Sequence, residues 1–71
     1  MEFLAQVWVG NDKYEAHVDV RGTAFGEPEV EFCTDFGYIN DEVAVLHESV
    51  TDHIQDLLLE EAWEMYTREV E

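Results

Sequence analysis

Apolar and polar residues alternate most regularly over residues 13 to 21. Tyr14, Ala16, Val18 and Val20 fall on one side of an extended chain, and Glu15, His17, Asp19 and Arg21 on the other. This predicts a strand with one face toward a core. Residues 3 to 9, Phe-Leu-Ala-Gln-Val-Trp-Val, are rich in β-branched and aromatic types and are followed by Gly10-Asn11-Asp12. They read as a strand joined to the next by a tight turn, giving an antiparallel hairpin. Gly22 to Pro28 reads as a loop. Beyond it Val30, Phe32, Phe36 and Tyr38 alternate with Glu31, Cys33 and Asp35. That pattern predicts a third strand, bending near Gly37.

No glycine or proline follows Gly37, and the remaining sequence favours helix. A helix is expected over at least residues 50 to 68, with Ser49 and Asp52 as a weak capping box at its start. Residues 41 to 47 are expected to form a separate short helix, although Val43-Ala-Val45-Leu also reads as a fourth strand. On a helical wheel Val50, Ile54, Leu57, Leu58, Ala62 and Met65 share one arc, suited to the Tyr14-Val18-Val30-Phe32 face of the sheet. Glu61 falls within that arc and is placed at the sheet rim, where it reaches water. The expected architecture is a single α+β domain over residues 1 to 71: a three-stranded antiparallel meander with a long C-terminal helix packed on one face.

Leu59, Trp63 and Tyr66 form a second apolar set on another side of the helix. A helix apolar on two sides needs two neighbours. The sheet is one; the other is a second copy of the chain in a homodimer, a partner protein, or a curl of the sheet edge. Trp8 alternates to the side of Leu4 and Gln6, opposite Phe3, Val7 and Val9. There it either packs over Leu4 and the sheet edge or stands free as a binding anchor.

Composition sharpens this picture. Eighteen acidic residues against three Lys and Arg give a formal net charge of −15, spread from Glu2 to Glu71. Such a field repels nucleic acid and anionic membrane and attracts basic surfaces. Hydrophobic residues at 46%, with 13% aromatic, nevertheless set the chain apart from a disordered acidic tail. The single cysteine, Cys33, forms no intrachain disulfide, which fits a reducing compartment. Met1-Glu-Phe-Leu does not begin a signal peptide, and no apolar run reaches membrane-spanning length. The cytoplasm is the expected location.

Candidate chemistry is sparse. His17, His47, His53 and Cys33 lack the spacings that bring metal ligands together. The acids near Asp41 and Glu42 do not follow the alternating pattern around a glycine that a calcium loop requires. Paired carboxylates act on glycosides only inside a cleft, and a small layer of sheet and helix leaves little room for one. No catalytic residue, metal or cofactor is assigned.

The strongest signal is electrostatic. Glu48, Asp52, Asp56, Glu60 and Glu64 recur at every fourth position. In a helix each step advances ~6 Å along the axis and ~40° around it, so the five form one acidic ridge. Like charges four apart cost about 0.2 to 0.5 kcal/mol per pair. Glu15, Asp19, Glu29, Glu31 and Asp35 supply a second acidic face on the outside of the sheet. One reading is adaptation to strong salt: a small interaction domain, acidic throughout and holding one lysine. The other is recognition, because a regular row of carboxylates offers a basic groove what a nucleic-acid backbone offers it.

In size, charge and that acidic row the chain resembles the small DNA-mimic inhibitors of phages and mobile elements: anti-CRISPR and anti-restriction proteins and the uracil-DNA glycosylase inhibitors. The resemblance implies a non-enzymatic protein that binds no nucleic acid itself. It would occupy the DNA-binding groove of a basic host protein, without a cofactor.

Overall fold

The computed structural model describes residues 1–22 and 29–70. It is an α+β fold with an antiparallel sheet and a C-terminal helix. Strands β1 (Glu2–Val9) and β2 (Asp12–Arg21) form the expected hairpin, paired without interruption from Glu2 opposite Asp19 to Val9 opposite Asp12. Gly10, at a φ of 63°, takes the first position of the two-residue turn, where a type II′ turn needs a residue free to adopt positive φ.

The expected third strand is two strands. β3 (Glu29–Phe32) pairs with the end of β2, and β4 (Phe36–Ile39) pairs with its beginning, both antiparallel and on the same side of β2. The break falls at Cys33, Thr34 and Asp35 rather than near Gly37. It also shifts the alternation by one residue. Val30 and Phe32 face the helix with Val20 and Val18, but Phe36 and Tyr38 face away, and Gly37 and Ile39 take the inner positions. A one-residue slip of this kind sends every following side chain to the opposite face. The inner position at Gly37 admits no side chain, because a Cβ there would lie 2.6 Å from both the Glu15 carbonyl oxygen and Leu46 Cδ2.

Residues 41 to 47 also depart from expectation. Asn40 and Asp41, with φ of 51° and 71°, make a tight turn into a further strand, β5 (Glu42–Val45), which pairs with β4. Positive φ at both central residues is the signature of a type I′ hairpin turn. Asn40 fastens this turn to the first hairpin. Its side-chain oxygen accepts from the Lys13 N–H at 2.9 Å, its amide donates to Asp12 Oδ1 at 2.9 Å, and its own N–H donates to the Lys13 carbonyl at 2.8 Å. Among the described residues the sheet thus has five strands rather than three. They run in the order β1-β2-β4-β5, with β3 beside β2 ahead of β4.

A single turn of helix, α1 (Leu46–Ser49), leads to α2 (Asp52–Val70). The main helix begins after Thr51, not at Ser49 or Val50. The Thr51 hydroxyl accepts weakly from the Ile54 N–H at 3.4 Å, and the Gln55 amide donates to the carbonyls of Leu46, at 3.0 Å, and Val50, at 2.8 Å. The first of these Gln55 bonds adds to the helical bond that the Leu46 carbonyl already accepts from the Val50 N–H at 3.0 Å, and the second satisfies the Val50 carbonyl at the break. The core joins Ala5, Ala16, Val18 and Val20 of the sheet to Leu46, Val50, Ile54, Leu58 and Ala62. α2 lies over β1, β2 and β3, leaving the opposite face of the sheet open.

Candidate binding surfaces

The molecule therefore presents two broad outer surfaces, the solvent face of α2 and the open face of the sheet. Ile54, Leu58 and Ala62 set the buried line of α2. Residues two positions away lie about 200° round the helix. That geometry sends Asp52, Asp56, Glu60 and Glu64 outward, and all four are exposed. Glu48 is exposed too, but it belongs to α1 and lies beyond the break at Val50 and Thr51, so the ridge is a row of four with a separate acid before it. One base answers this row among the described residues: Arg68, 3.6 Å from Glu64. Asp52 lies in the first turn, where the helix dipole favours it. Asp56 and Glu60 have neither compensation.

On the open sheet face most acids are paired. Arg21 bridges Asp19 at 2.9 Å and also contacts Glu31, while the N-terminal amine reaches Asp19 at 3.3 Å. The Arg21 guanidinium, and after it the N-terminal amine, hold the Asp19 carboxyl below its ordinary pKa; Asp19, together with Glu31, raises that of Arg21. Lys13 bridges Glu15 at 3.3 Å and Asp41 at 3.0 Å, and the hydrogen bonds to Asp41 and then Glu15 raise its pKa. His17 Nδ1 lies 3.2 Å from Glu2. Of the expected second acidic face, Glu15, Asp19 and Glu31 are thus partly neutralised and Glu29 sits opposite Arg21. Asp35 is on no strand but in the connection before β4, where its carbonyl accepts from the Leu46 N–H at 2.9 Å. Cys33 lies in the same connection rather than at a strand position. It is exposed, and its N–H donates to the His17 carbonyl at 2.9 Å. Desolvation, and after it the acids around it, raises its thiol pKa.

The slip before β4 gives this face a feature that the sequence pattern concealed. Phe36, Tyr38 and Val43 stand outward together on β4 and β5, with Phe36 55% and Val43 67% exposed. Across β2, Leu4 and Trp8 stand outward on β1. Trp8 is 66% exposed and so does not pack over Leu4 or the edge.

The second apolar side of α2 is largely covered by the sheet. Leu59 and Tyr66 pack against the core on the β3 side, and the Tyr66 hydroxyl lies 2.9 Å from where a Cβ would stand on Gly22. Trp63 remains 43% exposed. With Val30 and Leu59 it lines a shallow groove of about 540 Å³, whose other wall is Asp56 and Glu60 of the ridge. Among the described residues, the two ridge acids without compensation and the exposed Trp63 therefore meet at one place.

Among the described residues no three His, Cys, Asp or Glu side chains gather as a metal site, and no helix is long and apolar enough to cross a membrane. No protein-family model matches the chain, and no curated protein or solved structure matches it.

Proposed function

We propose that this chain is a non-enzymatic, cytoplasmic binding protein whose α2 ridge occupies the basic nucleic-acid-binding groove of another protein, as a DNA-mimic inhibitor of a host defence or DNA-processing factor. The observation that carries this reading is the uncompensated pair Asp56 and Glu60 within the exposed row Asp52, Asp56, Glu60 and Glu64, set against a sheet face on which bases answer acids. The charge is also of a suitable density. A net charge of −15 on a body 35 Å long is one charge per about 2.3 Å, against about 1.7 Å of axis per charge in duplex DNA. The groove beside Trp63 adds an apolar anchor of the kind that concentrates binding energy.

A second reading, a salt-adapted interaction domain without mimicry, draws support from exposed acids far from the ridge, such as Asp12 and Glu42. Capture of partners from host lysate at low and high salt, followed by titration of the captured protein with wild type and an Asp56→Gln/Glu60→Gln variant, separates the two. Mimicry requires a basic nucleic-acid-binding partner, released by salt and competed by duplex DNA, whose affinity falls at least about tenfold in the double variant. A partner held equally well by both proteins would sink the mimic reading.

A further inference from the structure

The outer edge of β1 is the longest open edge of the sheet, and its sequence is unlike the rest of the chain. Eight residues, Glu-Phe-Leu-Ala-Gln-Val-Trp-Val, carry one charge, in a protein whose charged fraction is 30%. Edge strands are ordinarily guarded by shortness, lysine, proline or a bulge. β1 has none of these, since its eight pairs with β2 run without a bulge. The other end of the sheet is the four-residue β5, and β3, also four residues long, carries Glu29 and Glu31.

The hydrogen-bond phase identifies which backbone groups are free. The Met1 amine donates to the Val20 carbonyl and the Val20 N–H donates to the Met1 carbonyl, both at 2.8 Å, so Met1 and Val20 are a hydrogen-bonded pair. Such pairs alternate along an antiparallel ladder. Phe3, Ala5, Val7 and Val9 therefore turn their backbone groups to β2, and Glu2, Leu4, Gln6 and Trp8 turn theirs outward. The side chains of Leu4 and Trp8 are also the exposed apolar residues of this strand on the open face.

We infer that β1 pairs antiparallel with β1 of a second copy about a twofold axis at Gln6, making one continuous sheet across the dimer. In that register Leu4 faces Trp8 of the second copy, Gln6 faces its own equivalent, and Trp8 faces Leu4 of the second copy. Each pair brings outward N–H and C=O groups together and keeps like faces aligned, as a two-stranded ladder requires. Both Leu4–Trp8 contacts bury apolar surface that the single copy exposes. The self-complementary register selects a second copy, and charge selects this edge for it: where both partners carry −15, self-association is least opposed along the strip with a single acid. With strands about 4.8 Å apart, helices centred over β1 and β2 of each copy would lie roughly 10 Å apart, the spacing of packed helices. The two acidic ridges would run antiparallel, side by side on one face, and oppose the dimer until salt screens them.

Sedimentation equilibrium of the full chain over a concentration and salt series tests this. The expected result is a species of twice the 8.3 kDa chain mass that tightens as salt is added, the reverse of a ridge held by a basic partner. Gln6→Pro removes an N–H that β2 does not use, and two lost bonds at the axis should weaken the dimer by about 5- to 150-fold. Trp8→Lys places a charge on the same edge without touching the core, and keeps the test intact should Gln6→Pro fail to fold by circular dichroism. Trp63→Lys, on the far side of the molecule, should leave the dimer unchanged. A monomer at every concentration and salt would overturn the proposal. So would a dimer that survives Trp8→Lys, or one abolished by Trp63→Lys alone.

Discussion

The solvent face of α2 and the open face of the sheet are both acidic, yet their acids stand in opposite electrostatic situations. A strand lies beside residues remote in sequence, so β2 brings Arg21 to Glu31 and Lys13 to Asp41. The ladder offers each acid several neighbours, and two cations, Lys13 and Arg21, with the terminal amine serve Glu15, Asp19, Glu31 and Asp41. A helix offers an exposed residue chiefly its own neighbours three and four positions away. On α2 the neighbours four positions away are acids again, and among the described residues Arg68 alone relieves the row. Equal acidity thus has two meanings: on the sheet it is local structure, and on the helix it is an unspent field available to a partner.

The largest expected effect attacks what makes the sheet face distinct. Phe36 and Tyr38 point outward because Gly37 points inward, under Leu46 and against the Glu15 backbone. Gly37→Val forces a side chain into that space, where a backbone carbonyl cannot give way as a flexible side chain can. Overpacking should cost about 3 kcal/mol, a large part of the roughly 4 to 10 kcal/mol expected for a chain of this size. Urea denaturation of wild type and variant measures it. A loss below about 1 kcal/mol would mean that β4 does not present Gly37 to the core, and the apolar patch on the open face would fall with it.

A smaller effect, of opposite sign, belongs to the helix. Asp56→Gln with Glu60→Gln removes three like-charge pairs at a spacing of four, 52–56, 56–60 and 60–64. It leaves the Asp52 position at the helix start and the Glu64–Arg68 pair intact. Stability should rise by about 0.6 to 1.5 kcal/mol at low salt. At 1 M salt the Debye length shrinks to about 3 Å, shorter than the ~6 Å step of the ridge, so the electrostatic part should vanish. Any gain remaining there reports the better helix propensity of Gln over Asp. Thermal melts at two salt concentrations decide; a gain over wild type no larger at low salt than at high would show that the ridge is not self-repelling.

The first hairpin and the main helix were legible because each repeats one period over many residues: two along Tyr14 to Val20, and close to four along Ile54, Leu58 and Ala62. The acidic row was legible for the same reason. Its break after Glu48 was legible only as a main-helix start expected at Ser49 or Val50; that the break extends through Thr51 was not, since Ser49-Val-Thr contains neither glycine nor proline and the cross-bonds that stabilise the junction come from Gln55. β4 was misplaced because both phases of Phe36-Gly-Tyr-Ile offer apolar residues, and the bulkier pair suggested the core. Val43-Ala-Val-Leu is too short for its period to distinguish strand from helix. The turn that makes it a strand holds Asn40 and Asp41 at positive φ, without the glycine that marks such turns. The compensation of the sheet acids depends on pairs as far apart as Lys13 and Asp41, which only the folded ladder brings together.

The smallest effect tests the sheet half of the contrast through pH. Asp19 accepts from Arg21 and lies beside the terminal amine, and its folded pKa is lowered, with the Arg21 hydrogen bond as the main cause. A carboxyl with a lower pKa folded than unfolded stabilises the fold once pH exceeds its unfolded value, about 3.9. That contribution is lost as pH falls through the folded value, where the native carboxyl takes up its proton. Asp19→Asn should therefore melt slightly below wild type at pH 7, and the two should converge as pH falls below about 3.9. The site is exposed, so the difference should be small and should shrink with salt. The decisive comparison is one of sign: removing charge at Asp56 and Glu60 raises the melting temperature at pH 7 and low salt, whereas removing it at Asp19 lowers it. If Asp19→Asn also stabilises the protein there, the acids of the sheet are as uncompensated as those of the helix, and the two faces do not differ in kind.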